Sequence, residues 1–209
     1  MNYKRFEKRT RYCRERQNKA DNYAHLNKNY CKKGQIVLAG DSITDMYNYY
    51  ELFDAYRKES GKEVYNRGIG GDNSNRLLER LESNVLCIEP EKIVYLIGTN
   101  DIACGASIEY IAENIRKLIE KTKERCPECK IAIQSVYPVI DHRKRKNKDI
   151  IPLNELIKKV CSDTDTAYID LYEALCDENG SFSKNYTYDG LHPNVHGYEI
   201  VTKAILEFI

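Results

Sequence analysis

What most limits the fold of this chain is an alternation, repeated from residue 36 to the end, of a short apolar run with a longer stretch whose apolar residues recur at helical spacing. IVLAG (36–40), EVYNRG (63–68), KIVYLIG (92–98), KIAIQSVYP (130–138) and TAYIDL (166–171) read as strands. Between and after them, SITDMYNYYELFDAYRK (42–58), SNRLLERLES (74–83), SIEYIAENIRKLIEKTKER (107–125), PLNELIKKVCSD (152–163) and VHGYEIVTKAILEFI (195–209) read as helices, the third with Ser107 as its cap. Strands separated by helices pair through crossovers. The pattern therefore predicts an α/β domain: a mostly parallel sheet with helices on both faces and right-handed connections. The first thirty residues, highly charged with spaced Tyr, Phe and Leu, predict a helix lying over that domain. Tyr3 and Phe6 are its expected docking residues, because an isolated helix is marginal without packing.

A chain of 209 residues is long enough for one domain with a proper core. Its formal net charge of +1 offers no electrostatic pull toward nucleic acid or an acidic surface, so no nucleic-acid partner is expected. No apolar run approaches the ~20 residues that span a bilayer, and MNYKRFEKRTRYCRERQ lacks the apolar stretch of a signal peptide. The expectation is a cytoplasmic protein without a membrane span, its oligomeric state left open by composition. The eight cysteines are scattered, as buried free thiols would be. Only Cys126 and Cys129 have a metal-like spacing, and a zinc site needs a second pair of ligands, so this pair reads as a loop between helix and strand. The basic run HRKRKNK (142–148) reads as a solvated loop.

In a sheet of this kind ligands bind beyond the carboxyl ends of the strands. Polar clusters follow the first three runs, Gly40-Asp41-Ser42, Asn66 to Asp72 and Gly98 to Asp101, and another lies at Asp189 to Asn194. Singly each has a plainer explanation: a helix cap, a tight turn, an Asx-turn. Together they supply a hydrolytic site. Ser42 becomes a nucleophile if a histidine takes its proton, and that histidine needs an acid to fix its tautomer. Asp189 and His192, three apart, can meet on a short loop with the far ring nitrogen left for the serine. An oxyanion made at an ester carbonyl needs donors: the Ser42 N–H, the N–H of Gly71 and the amide of Asn100. Asp41 is expected to support the Ser42 turn. His196, four residues after His192, could in principle complete a metal pair, but Pro193 disfavours helix at His192, and a surface role is expected. No metal and no cofactor is called for. Tyr47, Tyr49 and Tyr50 read as core and amphipathic surface of the first helix.

GDSIT, GIGGD, GTND and DGLHPN, in that order, resemble the four blocks of the SGNH hydrolases, also called GDSL esterases and lipases, and especially their platelet-activating-factor acetylhydrolase-like branch. The resemblance runs from about Gln35 to the C-terminus. It implies a hydrolase domain over 35–209 behind an N-terminal helical extension (1–34), and a three-layer α/β/α sandwich on a five-stranded parallel sheet of flavodoxin-like order. It implies a serine hydrolase of small-molecule carboxylic esters with Ser42 as nucleophile, Asp189 and His192 completing the triad, and Gly71 and Asn100 in the oxyanion hole. Gly70 is the alternative donor to Gly71. Ile43 stands where the family name has leucine, a change that leaves the chemistry alone. Two other functions compete. One is deacetylation of an acetylated carbohydrate in the same site. The other is a flavodoxin-like binding module, although G-I-G-G-D lacks the G-x-G-x-x-G spacing of a dinucleotide site.

Overall fold

The computed structural model describes the backbone of residues 3–140 and 144–209, and the side chains from Cys13 onward within those ranges. Strands β1 (Ile36–Gly40), β2 (Val64–Gly68), β3 (Lys92–Leu96), β4 (Lys130–Gln134) and β5 (Ala167–Ile169) form one sheet in the order β2-β1-β3-β4-β5. All neighbouring pairs are parallel. The helices are α1 (Tyr3–Asn29), α2 (Ser42–Asp45), α3 (Asp54–Ser60), α4 (Ser74–Glu79), α5 (Leu81–Asn84), α6 (Thr99–Cys104), α7 (Ile108–Arg125), α8 (Asn147–Asp163) and α9 (Val195–Phe208). This is the three-layer α/β/α arrangement with flavodoxin-like strand order.

Side chains alternate across each strand, so each strand feeds two cores. Val37, Ala39, Ile93 and Tyr95 pack with Leu77, Leu81, Ile115, Leu118, Leu153 and Ile157 from α4, α5, α7 and α8. Ile36, Leu38, Val94 and Leu96 pack with Ile43, Tyr47, Tyr198, Val201 and Ile205 on the α2 and α9 side. Burial of both faces explains why the strands read as continuous apolar runs. In α7 the Ser107 side chain accepts from the Tyr110 N–H, and the helix ends at Arg125. Cys126 and Cys129 then form the turn into β4, both buried, with the Cys129 N–H on the Cys126 carbonyl at 3.0 Å.

Three stretches differ from the sequence expectation. The helix expected over 42–58 is broken into α2, a short 3-10 turn (Tyr50–Phe53) and α3. Asn66 Nδ2 donates to the carbonyls of Thr44 (2.6 Å) and Tyr47 (3.1 Å), taking acceptors that a continuing helix would use. Helix α8 starts at Asn147, so Pro152 lies inside it. The Asn147 amide bridges the Val139 N–H and carbonyl at 2.9 and 3.0 Å, which brings the chain into helix earlier. Helix α6, not anticipated, opens directly behind Gly98.

Helix α1 packs on α5 and the short turn that follows it (Leu86–Ile88), and polar side chains carry it to the end of the edge strand β2. Asn27, 6% exposed, accepts from Arg67 Nε (3.0 Å) and Nη2 (2.7 Å) and donates to the Asn84 carbonyl (2.9 Å). Asn84 returns a bond to the Ala20 carbonyl at 3.0 Å. The Arg67 guanidinium also sits 4.9 Å over the Tyr23 ring. The side chains of Tyr3 and Phe6, expected to dock the helix, lie outside the described residues. Replacing Asn27 with Ala removes the side-chain oxygen that accepts from Nε and Nη2 of the buried Arg67 guanidinium, leaving it the Asn66 carbonyl and the Cys31 sulfur. The expected loss is about 3 kcal/mol, read as a lower urea midpoint at unchanged slope. A midpoint equal to wild type would show that this contact does not hold the helix.

Candidate active site

Ser42 lies two residues beyond the end of β1, after Asp41, and is the first residue of α2; the turns after β2 and β3 flank it where the strand order reverses. Its hydroxyl lies 2.9 Å from His192 Nε2, and His192 Nδ1 lies 2.6 Å from Asp189 Oδ2. A neutral imidazole with its proton on Nδ1 satisfies both contacts: it donates to Asp189 and accepts from Ser42. The three residues expected to act together are thus brought into one chain.

The loop that carries His192 is fixed by its own hydrogen bonds. Asp189 Oδ1 accepts the N–H groups of Leu191 (2.9 Å) and His192 (2.7 Å), leaving Oδ2 for the ring. Burial pushes the Asp189 carboxyl up, but the backbone and ring bonds from His192 and the Leu191 N–H outweigh it and hold the group below the usual carboxylate range. Thr187 Oγ1 donates to the His192 carbonyl (2.6 Å) and accepts the Gly190 N–H (3.0 Å). Gly190 has φ +83°, and a Cβ there would lie 3.0 Å from that of Ile140. Only glycine fits that turn comfortably. The Asn194 side chain then caps α9 by accepting the Gly197 N–H. Tyr188, exposed, lies nearly parallel to the His192 ring with centroids 6.3 Å apart.

Gly70 and Gly71 are distinguished by their partners. The Gly70 N–H donates to Asp45 Oδ2 at 2.8 Å. Gly71 has φ +76°; its carbonyl accepts from Arg16 Nη1 at 3.0 Å, and its N–H has no hydrogen-bond acceptor among the described residues. Asn100 Nδ2 donates to the Asp72 carbonyl (2.8 Å), while its Oδ1 accepts from Arg145 Nη2 (2.7 Å). The two bonds fix the amide orientation and leave one N–H hydrogen for a ligand. Arg145 also donates to the Thr99 carbonyl and hydroxyl, both at 3.1 Å. It belongs to the run expected to be a solvated loop. Within the described part of that run, Arg145 is instead half-buried against the site, while His142 and Arg143 lie outside the described residues. Arg145 and Asp45 were missed in the sequence because each acts on a residue far from it along the chain.

Beneath these donors lie buried polar pairs. Asp72 meets Arg80 Nε at 2.6 Å, and Arg80 Nη2 donates to the Gly40 carbonyl at 3.0 Å. Asp101 accepts the Ser74 hydroxyl at 2.6 Å and its N–H at 3.0 Å. Asp41 is fully buried; Oδ1 accepts the Ile43 N–H at 2.9 Å and caps α2, while Oδ2 has no hydrogen-bond partner among the described residues. Burial, against the Ile43 bond and with the neighbouring Asp72 carboxylate adding to it, pushes its carboxyl up from 3.8 to about 7. Tyr198 holds the same turn by donating to the Ile43 carbonyl at 2.6 Å. Tyr47 is buried and stacked on Tyr198 at 4.5 Å, whereas Tyr49 and Tyr50 are exposed. His196 faces outward beside Glu199 at 3.2 Å, as expected of a surface residue. Among the described residues no group of three or more His, Cys, Asp or Glu side chains is arranged to hold a metal ion.

Residues 38–200 match the model of the GDSL-like lipase/acylhydrolase family. The chain is 27% identical over 179 residues to human platelet-activating factor acetylhydrolase IB subunit alpha1, covering 83% of this chain and 74% of that one. It is 32% identical over 177 residues to an Escherichia coli N-acylneuraminate cytidylyltransferase, covering 83% of this chain but spanning only 40% of that relative. Among solved structures, a GDSL-like lipase from Bacteroides thetaiotaomicron superposes with a TM-score of 0.77 at 26% identity, covering 90% of this chain and 96% of that one.

Asp41 makes stability depend on pH in a stated direction. With a folded value of about 7 against 3.8 unfolded, the native state holds more protons between them, so this group's contribution falls as pH rises from about 4 to about 7. Asp41→Asn keeps the Ile43 cap without the charge. Its stability is expected to gain on wild type across that interval, measured as urea midpoints at about pH 4.5 and about pH 8. A constant difference would show that Asp41 does not titrate there.

Proposed function

The chain belongs to the GDSL-like lipase/acylhydrolase family, whose chemistry is ester hydrolysis, and on that premise we propose that Ser42, His192 and Asp189 carry the reaction here. The observation behind this reading is the unbroken hydrogen-bond chain from the Ser42 hydroxyl through both nitrogens of His192 to Asp189. His192 takes the Ser42 proton as the oxygen attacks the carbonyl carbon. The negative charge formed on the carbonyl oxygen is met by the N–H groups of Ser42 and Gly71 and by Asn100 Nδ2. Gly70 supports this hole without joining it, since its N–H is engaged by Asp45. Protonated His192, stabilised by ionised Asp189, returns the proton to the departing alcohol. Water then attacks the acyl-serine by the same route, with His192 again as base.

The substrate is a small ester with a short acyl group, a reading supported by the relative named as an acetylhydrolase. A second reading, an acetylated carbohydrate, is favoured by the exposed Tyr188 ring beside His192, because a sugar ring can lie flat on such a face. A cytoplasmic setting is compatible with eight cysteines that are all free thiols. The binding-module alternative gives way to the family assignment.

Ser42→Ala is expected to abolish ester hydrolysis and fluorophosphonate labelling while the protein stays folded; activity at the wild-type rate would sink the reading. Asn100→Ala is expected to cost roughly 10²–10³ in kcat. Nitrophenyl acetate, butyrate and octanoate assayed beside an acetylated xylooligosaccharide separate the two substrate classes through their relative kcat/KM.

A further inference from the structure

We propose that Lys19 and Asp45 are positioning residues: helix α1, through Lys19, holds Asp45 so that its carboxylate sets the Gly70–Gly71 loop, and with it the Gly71 N–H, against the Ser42 turn. This rests on the assignment of Ser42 and Gly71 made above. Asp45 ends the turn that begins at Ser42, with its N–H on the Asp41 carbonyl at 2.8 Å. One carboxylate oxygen takes the Gly70 N–H at 2.8 Å, and the other is paired with Lys19 Nζ. A single side chain therefore joins the nucleophile turn, the oxyanion loop and α1.

Lys19 does not act alone. Arg16 donates to the Gly71 carbonyl at 3.0 Å and Tyr23 to the Gly68 carbonyl at 3.0 Å. Arg16, Lys19 and Tyr23 follow the i, i+3, i+7 spacing that places residues on one helix face. That face is turned to the loop between Gly68 and Gly71. The loop needs such support, because consecutive glycines have many accessible conformations and Gly71 sits at φ +76°. A donor in an oxyanion hole acts only if it is already in place when charge develops. Lys19 is 36% exposed and Asp45 22%, so the pair adds little to global stability. Its effect should therefore appear in catalysis and not in the unfolding midpoint.

The test uses the full-length chain with Lys19→Met, Lys19→Arg and Asp45→Asn. Each variant is measured for kcat and KM on nitrophenyl acetate, for the rate of fluorophosphonate reaction at Ser42, and for its urea midpoint. Lys19→Met and Asp45→Asn are expected to lower kcat roughly tenfold or more and to slow labelling in parallel, with KM and midpoint near wild type. Lys19→Arg should recover most of the rate. A kcat within twofold of wild type in Lys19→Met, with Ser42 labelled normally, overturns the proposal. So does a loss of rate that follows a fall in the midpoint and is not recovered by Arg. Failure of the wild-type chain to label at Ser42 would instead remove the underlying assignment, and the proposal with it.

Discussion

The site depends on one contact between residues 150 positions apart: the Ser42 hydroxyl and His192 Nε2 at 2.9 Å. A hydrogen bond of that length tolerates only a few tenths of an ångström, whereas closing a loop of that size is entropically unfavourable and does nothing to set its geometry. The parallel sheet solves the coarse part of the problem by bringing the carboxyl ends of β1, β2 and β3 to one edge. The fine part rests on α9. Its buried face carries Tyr198, Val201 and Ile205, and Tyr198 reaches the Ile43 carbonyl one residue from Ser42. Asn194 caps the same helix directly after the His192-Pro193 pair. Serine and histidine are thus tied to one rigid element from its two sides.

The side of the site that holds Gly71 and Asn100, the proposed oxyanion donors, is built differently, from buried charge. Asp72, Arg80 and Asp101 are each under a tenth exposed and lie behind the loops that carry the donors. Such pairs contribute little net stability once desolvation is counted, but losing one partner is costly. Their value here is directional. Arg80 links Asp72 to the Gly40 carbonyl at the end of β1, and the Asp72 carbonyl in turn receives the Asn100 amide. Arg145 completes the restraint from the other side of that amide. The Asn100 amide is thus fixed from both sides, which is the condition the proposed role demands: a donor already in place favours the transition state over the ground state.

The fold was legible in the sequence because burial of both sheet faces leaves uninterrupted apolar runs, and the relation of Ser42 to His192 was legible because each sits in a short polar block at a strand end or helix start. What could not be read were pairings between common residue types far apart. Nothing near Arg145 marks it as the partner of Asn100, and a basic run is ordinarily solvated. Nothing near Asp45 announces Gly70 or Lys19. The broken helix over 42–58 failed for the same reason: the Asn66 side chain that takes its carbonyls comes from the next strand. The resemblance prefers Gly71 to Gly70 by its place before Asp72; that Asp45 occupies the Gly70 N–H is visible only in three dimensions.

Helix α1 shows why polarity need not mean detachment. Its charged sequence offers no apolar stripe wide enough to dock it by burial alone, and a helix polar all round is not stable by itself. What it meets is α5 with the turn behind it, and the carboxyl end of the edge strand β2. Tyr23 and Asn27 satisfy groups on or beside β2, at the Gly68 carbonyl and the Arg67 guanidinium. Polar side chains are therefore the appropriate surface for this helix. β2 ends at Gly68, two residues before Gly70, so the docking that reaches the end of this strand also reaches the Gly70–Gly71 loop.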